Sequence, residues 1–279
     1  NDVLNCYLNN TILPDQIIIS LNGCKFIDNN LIIEFENKYK KLFDDFLVIK
    51  TDDLLSRPKA RNVCIKHIKH EIVCFSDSDD YEHLQRFEII KYFFENKHID
   101  HLLHSYILSK CFSKKCGYCF LCKNNYNNKF IKYKLEDIDY CDKEIINKIN
   151  FPDESIKPNV KSILALNKQN KQIMPVHGLV CVKKHVLDKI KFNENYPRGQ
   201  DSLFSQEVLN TYKNTIVIDA QLHIYNNGWV PSKEHFKEIE YKNNYIYMNF
   251  GSDNPPSPGT PRTNKENNII IKTIKEIIN

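Results

Sequence analysis

Short apolar runs alternate with helical stretches along the first hundred residues, and this alternation constrains the fold more than any other feature. Four apolar runs predict strands, at 16–20, 31–35, 46–50 and 71–76. Two stretches with helical spacing predict helices, at 57–70, where Pro58 lies near the start, and at 82–95. This order predicts an open α/β sheet, mixed but mostly parallel, with helices on both faces. Ligands of such sheets bind outside the carboxyl ends of the strands.

An acidic run, Asp77-Ser78-Asp79-Asp80, comes directly after the predicted strand 71–76. Carboxylates in a loop at a strand end can converge on Mg²⁺ or Mn²⁺, which prefer oxygen ligands and often also hold phosphate oxygens. Such an ion neutralises the charge that develops on a departing nucleoside diphosphate. The alternative is a solvated acidic turn in which Asp79 or Asp80 caps a helix that starts near Tyr81.

The overall composition is that of a globular protein without a strongly charged surface. Hydrophobic residues make up 42% of the 279 residues, and 39 basic and 35 acidic side chains leave a net charge of only +4. This balance argues against a nucleic-acid partner. No apolar segment approaches the roughly 18 residues of a membrane span, and no secretory signal pattern is present, so no membrane span is expected.

Cysteine use favours a reducing, cytoplasm-like compartment over a disulfide scaffold. Cys24, Cys64, Cys74 and Cys181 lie in or beside apolar runs, where a free thiol acts as a small hydrophobe.

A second cysteine group forms a dense cluster: Cys111, Cys116, Cys119 and Cys122. Its spacing fits a structural Zn²⁺ that would stiffen an irregular insertion, with free thiols or an intramolecular disulfide as alternatives. His98, His101 and His104 could add ligands, although their spacing also suits an ordinary strand or helix face. A catalytic role for this zinc is not expected, because four thiolates leave no open coordination position.

The remaining pattern divides the chain into three parts. A catalytic domain is predicted over 1–250, with the cysteine-rich insertion at about 109–173. Within it, 174–184 predicts a strand, 202–213 a helix and 215–226 two further strand-like runs. The polar segment 251–268 predicts a flexible linker, and 269–279 is an amphipathic segment that could dock on the domain or bind a partner.

Three segments together resemble the inverting family 2 glycosyltransferases and their relatives with the A-type fold, which is the Rossmann-like fold of nucleotide-diphospho-sugar transferases. Segment 60–80, ARNVCIKHIKHEIVCFSDSDD, is similar to that family's Ala-Arg-Asn helix start, hydrophobic strand and Asp-x-Asp-Asp. Segment 4–23 resembles its first helix and second strand, and 177–209 resembles its acceptor-side segment, in which Phe-x-Glu precedes a Glu-Asp pair that opens a helix. The resemblance covers roughly residues 1–110 and 175–230.

The resemblance implies a metal-dependent transferase that moves a sugar from a nucleoside-diphosphate donor, UDP-linked, to a hydroxyl of a carbohydrate or protein, with inversion. Asp79 would hold Mn²⁺ or Mg²⁺, and Asp77 would contact the ribose or share the ion. Arg61 and Asn62 would lie near the nucleotide. Asp201 would be the general base that deprotonates the acceptor hydroxyl.

Some positions have competing interpretations or depart from the family pattern. The resemblance implies that His223 completes the metal shell, whereas a strand histidine alone is more often a hydrogen-bonded structural residue. Asp201 could also cap its helix. Gln200 stands where the family usually has an acid, and the family's first, nucleotide-binding strand has no counterpart in the sequence.

Two other functions fit parts of the sequence. A nucleotidyltransferase on a similar sheet would usually carry a glycine-rich basic loop near its start, which this chain with its 7 glycines does not show. A zinc-stabilised interaction module would make the acidic run incidental.

Overall fold

A computed structural model describes most of the chain. The described residues are 2–77, 80–108, 132–148, 157, 160, 163–167, 172–175, 180–196, 199–225 and 274–275. Asp79, the cysteine cluster and the predicted linker 251–268 lie outside the described residues.

Helices and strands alternate through the described part of the chain. The helices are α1 (Asp2–Leu8), α2 (Asn29–Tyr39), α3 (Arg57–Ile65), α4 (Arg86–Asn96), α5 (Lys143–Lys148), α6 (Lys184–Lys189) and α7 (Gln200–Thr211). The strands are β1 (Gln16–Leu21), β2 (Asp45–Lys50), β3 (Ile72–Cys74), β4 (Tyr81–Glu82), β5 (His101–Leu108), β6 (Tyr140–Asp142), β7 (Leu164–Asn167), β8 (Gln172–Pro175), β9 (Val180–Lys183) and β10 (Thr215–Tyr225). Leu135–Asp137 forms a single 3₁₀ turn.

Six strands form the central sheet, in the order β3-β9-β5-β10-β4, with β6 also paired to β10. Strand β9 runs antiparallel to both β3 and β5, and β5 runs parallel to β10. The strands β3, β5 and β10 therefore point the same way, and their carboxyl ends share one edge of the sheet.

The predicted α/β class, a mixed sheet flanked by helices, is confirmed. Successive residues of β5 serve opposite faces: Leu102 packs in a core with helix α4, and Leu103 packs in a core with α6 and α7. The predicted excess of parallel pairing is not found in the described part of the chain, where five of the seven strand pairs are antiparallel. Strands β4, β6 and β9 each run antiparallel to their neighbours, and β7 pairs antiparallel with β8.

Strands β1 and β2 form a separate parallel pair with its own apolar core. The chain leaves β1 through Asn22-Gly23, where Gly23 has a φ of 65°. A Cβ atom there would also lie 3.2 Å from the Leu54 side chain, so glycine suits the turn on both counts. Ile274 packs into the same core from the far end of the chain.

The strand predicted over 31–35 is wrong, because these residues belong to helix α2. The Asp28 carboxylate accepts a hydrogen bond from Asn30 N and caps the helix, and Leu31, Ile32 and Phe35 then face the β1–β2 core. Five consecutive residues rich in apolar side chains fit both the period of a strand and the period of a helix. The cap and the burial of one helical face select the helix.

The other early elements are found close to their predicted places. The strands predicted at 16–20, 46–50 and 71–76 are β1, β2 and β3, and the first predicted helix is α3. The helix predicted over 82–95 begins later, at Arg86, because Tyr81–Glu82 pairs with β10 as a strand. Among the described residues, no helix has the length and apolar character needed to cross a membrane.

Candidate active site

The acidic run follows β3 at the edge of the central sheet where β5 and β10 also end. Asp77 comes three positions after the last residue of β3. Glu82 of β4 is the register partner of His223, near the end of β10. Asp77 and His223 therefore lie on elements that meet at the same edge.

Two carboxylates hold the ring of His223. His223 Nε2 lies 2.9 Å from Asp80 Oδ2, and His223 Nδ1 lies 3.0 Å from Glu82 Oε2. The exposed fraction of these three residues is at most 1%. Both ring nitrogens have a fixed partner, so the plane and direction of the imidazole are set by the sheet edge.

Arg86 anchors Glu82 from the interior. Its Nη1 lies 2.9 Å from Glu82 Oε1, which also accepts a 2.5 Å hydrogen bond from Ser76 Oγ. Arg86 Nη2 donates to Phe75 O at 3.0 Å, and Arg86 Nε lies 3.2 Å from His104 Nε2. A continuous polar chain therefore runs from the core to the acidic run.

Glu82 carries a charge opposite to those of His223 and Arg86 in this buried polar network. Burial by itself would raise the pKa of Glu82, but Arg86 and His223 outweigh it and hold that pKa at about 2. Burial by itself would lower the pKa of His223, but Glu82 and Asp80 outweigh it and raise that pKa to about 9. The His223 imidazolium and the Arg86 guanidinium thus face the side chains of Glu82 and Asp80, which is how charges persist away from water.

Asp77 is paired with Arg61 of helix α3. Arg61 Nη2 lies 2.6 Å from Asp77 Oδ1, and the guanidinium carbon stands 5.2 Å from the centre of the Phe192 ring. Burial opposes ionisation of Asp77, but Arg61 outweighs it and the pKa of Asp77 is lowered. Arg61 Nη1 is buried and has no hydrogen-bond partner among the described residues.

Asn62 contacts residues 192–194, which precede helix α7. Its Nδ2 donates to Phe192 O at 2.8 Å and to Glu194 Oε1 at 3.0 Å, and its Oδ1 accepts from Phe192 N at 3.0 Å. The side chain thus fastens 192–194 to helix α3. Its predicted place near a nucleotide stays a prediction.

Three phenylalanine rings connect β3 with helix α7. Phe192 stacks on Phe204 at 4.3 Å between centroids and meets Phe75 edge-on at 4.9 Å. Phe204 comes one helical turn after Asp201, and Phe75 comes two residues before Asp77. The start of α7 is therefore packed towards the end of β3.

Asp201 lies in the first turn of α7, and its Oδ1 accepts from Ser202 N at 2.9 Å. The alternative that Asp201 caps the helix is wrong, because Gly199 is the N-cap, with a φ of 64°. The neighbouring Gln200 is only 3% exposed, and its Oε1 has no hydrogen-bond partner among the described residues.

The described part of the site gives Asp80, Glu82 and Arg86 roles that the sequence did not assign to them. Asp80, one of the carboxylates of the acidic run, is the hydrogen-bond partner of His223. The alternative that it caps a helix starting near Tyr81 is wrong, because α4 begins at Arg86 with Gln85 as N-cap. The roles of Glu82 and Arg86 were missed because both fell within one predicted helix, where a pair four residues apart suggests a surface ion pair.

Some of the possible metal ligands lie within the described residues and others lie outside them. Within the described ranges, no group of three or more His, Cys, Asp and Glu side chains is suited to hold a metal ion. Asp80 and His223 form a pair of oxygen and nitrogen donors, while Asp79 and the cysteine cluster are outside those ranges. His101 and His104 are buried in β5, where His101 lies against Thr215.

No protein-family profile matches the chain, and no curated protein sequence matches it. Among solved structures, the chain is similar to S. aureus TarS. TarS 1–349 in complex with UDP matches with a TM-score of 0.49 and 17% identity, over 85% of this chain and 58% of that chain. The complex with UDP-GlcNAc matches with a TM-score of 0.49 and 17% identity, over 88% of this chain and 57% of that chain. This chain thus spans less than two thirds of the length of these TarS structures.

Proposed function

We propose that the chain is a metal-dependent glycosyltransferase that moves a sugar from a nucleoside-diphosphate donor to a hydroxyl acceptor with inversion. The observation that carries the proposal is the Asp80–His223 pair, whose donor atoms lie 2.9 Å apart at the ligand-binding edge of an α/β sheet. The sequence resemblance of the acidic run and of 177–209 supports the same function.

The donor set fits a divalent ion such as Mn²⁺ or Mg²⁺, which on binding would displace the proton that His223 Nε2 carries in the metal-free protein. Ligands about 2.1 Å from a metal and at right angles to one another lie about 3 Å apart, close to the separation of Asp80 Oδ2 and His223 Nε2. Glu82 on the other ring nitrogen is the partner that metal-binding histidines usually have. We assign the site to Asp80 and His223 together with Asp79 and Asp77.

When bound, the ion would stabilise the negative charge that develops on the departing diphosphate. Arg61 supports the assignment of a nucleotide site. Its buried Nη1 can donate a hydrogen bond to an oxygen of the nucleotide sugar, while its Nη2 holds Asp77. Asn62, the next residue of α3, would act indirectly by fixing 192–194 against that helix.

Asp201 is proposed as the general base. A half-buried carboxylate in the first turn of α7, near the Phe75–Phe192–Phe204 stack, can take the proton of an acceptor hydroxyl as the new C–O bond forms. The acceptor oxygen would attack the anomeric carbon opposite the diphosphate, which inverts that carbon.

Two further assignments are independent of the transfer chemistry. We propose structural Zn²⁺ for Cys111, Cys116, Cys119 and Cys122, and a reducing compartment for the protein. The second is supported by cysteine use in the sequence, where Cys24, Cys64, Cys74 and Cys181 lie in or beside apolar runs.

Donor binding tests the function most directly. UDP and UDP-GlcNAc, the molecules named in the TarS complexes, are to be added with and without Mn²⁺ while the unfolding temperature is followed. We expect UDP with Mn²⁺ to raise the unfolding temperature of the wild type. The control variant Asp188→Asn, which changes an exposed residue of α6, should show the same rise. Arg61→Gln should show a much smaller rise.

Product analysis then separates the competing enzymes. Release of UDP from UDP-GlcNAc supports the transferase, whereas release of pyrophosphate from UTP in the presence of a sugar 1-phosphate supports a nucleotidyltransferase. Absence of binding across a panel of nucleotide sugars, together with stoichiometric zinc, would favour an interaction module and reject the proposal.

A further inference from the structure

Two thiols that the proposed chemistry does not use face each other in the central sheet. Cys74 of β3 and Cys181 of β9 are direct register partners in an antiparallel pair. Both side chains pack in the core beneath helix α4. Although 71–76 and 174–184 are far apart in the sequence, the fold brings these two cysteines to adjacent positions.

The backbone hydrogen bonds identify the kind of position they occupy. Phe75 N donates to Val180 O at 3.1 Å, and Lys184 N donates to Glu71 O at 2.8 Å. Hydrogen-bonded and non-hydrogen-bonded pairs alternate along an antiparallel ladder, so Cys74 and Cys181 form a non-hydrogen-bonded pair. The Cα atoms of such pairs are about 4.5 Å apart, within the range of about 4.4–6.8 Å that a disulfide spans.

The two thiols influence each other electrostatically. The neighbouring Cys181 thiol lowers the pKa of Cys74, with help from the Arg86 guanidinium and against the effect of burial. Burial and then the Cys74 thiol raise the pKa of Cys181. Cys74 is the more accessible thiol, since Cys181 is fully buried, so a small oxidant reaches Cys74 first.

We propose that Cys74 and Cys181 are a thiol modification site that closes to an intramolecular disulfide by exchange with a small disulfide such as oxidised glutathione. The Cys74 thiolate attacks one sulfur of the oxidant, forms a mixed disulfide and releases one thiolate. The Cys181 sulfur, after losing its proton, then attacks the Cys74 sulfur and displaces the second thiolate. Two protein thiols are oxidised, one disulfide is reduced to two thiols, and the two protons pass to the released thiolates.

Closure would join β3 to β9 covalently three residues before Asp77. It would do so beside Arg86, whose charge acts on both sulfurs. The modification therefore has a site that is distinct from the cysteine cluster and adjacent to the strand that carries the acidic run.

Peptide mapping tests the proposal on the full chain. The reduced, folded protein is incubated with oxidised glutathione, the remaining thiols are alkylated, and the monomer is digested without reduction. We expect one linked pair of peptides, containing Cys74 and Cys181, to form in the wild type and in Cys64→Ser, which removes a partly buried thiol on α3.

The linked pair must be absent in Cys74→Ala and Cys181→Ala, and reduction must remove it from the wild type. Failure to find the link in oxidised, folded wild type would overturn the proposal. The proposal would also be overturned if Cys74 stayed in a mixed disulfide with glutathione, or if the Cys74–Cys181 link were found only in dimers. The wild-type mapping decides the question even if an alanine variant does not fold.

Discussion

His223 Nδ1 and Glu82 Oε2 lie 3.0 Å apart, although 141 positions separate the two residues in the chain. The contact is made inside the sheet, where β10 and β4 run antiparallel. It joins the acidic run to Arg86 and so to the core, which makes the candidate site part of the folding unit rather than a loop added to its surface.

Removing the charge of Glu82 should destabilise the protein strongly. Glu82→Gln would leave Arg86 and His223 buried without that counter-charge, at a cost of about 3–5 kcal/mol in the free energy of unfolding. Urea unfolding measures the change. Glu95→Gln, on the exposed side of α4, is the matched control and should change the free energy by under about 0.5 kcal/mol. Equal effects of the two substitutions would contradict the assigned role of Glu82.

The contribution of His223 to stability should depend on pH in a defined direction. Its pKa in the folded protein, about 9, is above the ordinary 6.5, so its stabilisation is fully present below pH 6.5 and is lost as the pH rises through 9. The metal-free wild type and His223→Gln should therefore differ most at pH 6 and least above pH 9. Urea unfolding across this range checks the trend. A constant difference would show that the folded-state pKa is not raised.

Glu82 should limit stability at the acid end. Its folded-state pKa of about 2 is below the ordinary 4.5, so its contribution is present above pH 4.5 and is lost as the pH falls towards 2. Acid unfolding of the wild type should be steeper between these values than that of Glu82→Gln. Identical acid profiles would argue against the Arg86–Glu82–His223 arrangement.

Asn62 should be needed for local order near α7. Asn62→Ala removes three hydrogen bonds to 192–194, which should cost about 1–3 kcal/mol and speed amide hydrogen exchange in that segment. Asn210→Ala, which removes one exposed side-chain contact on α7, should have little effect on either measurement. Unchanged exchange at 192–194 in Asn62→Ala would count against this role.

Asp201→Asn should separate binding from chemistry. The amide cannot accept the acceptor proton, so the rate of sugar transfer should fall by about 10²–10⁴, while the shift in unfolding temperature with UDP and Mn²⁺ stays as in the wild type. Glu207→Gln, at an exposed position of the same helix, should keep full turnover. Normal transfer by Asp201→Asn would remove Asp201 from the mechanism.

Local patterns determined much of the fold from the sequence alone. The apolar runs that became β1, β2 and β3 are bounded by turn residues, and the position of Asp77 after β3 follows from chain order. At 31–35 the apolar pattern fits both a strand and a helix, so the local sequence does not determine the secondary structure there. Burial of Ile32 against the β1–β2 core selects the helix.

The sequence by itself determined that a sheet strand would end in carboxylates and that His223 would lie on a late strand. Only the tertiary structure decided which carboxylates meet that histidine, and that Cys74 would face Cys181. The physical reason is that pairing between distant strands depends on the order and direction of the whole sheet. A change of one position in register would turn each of these side chains to the opposite face.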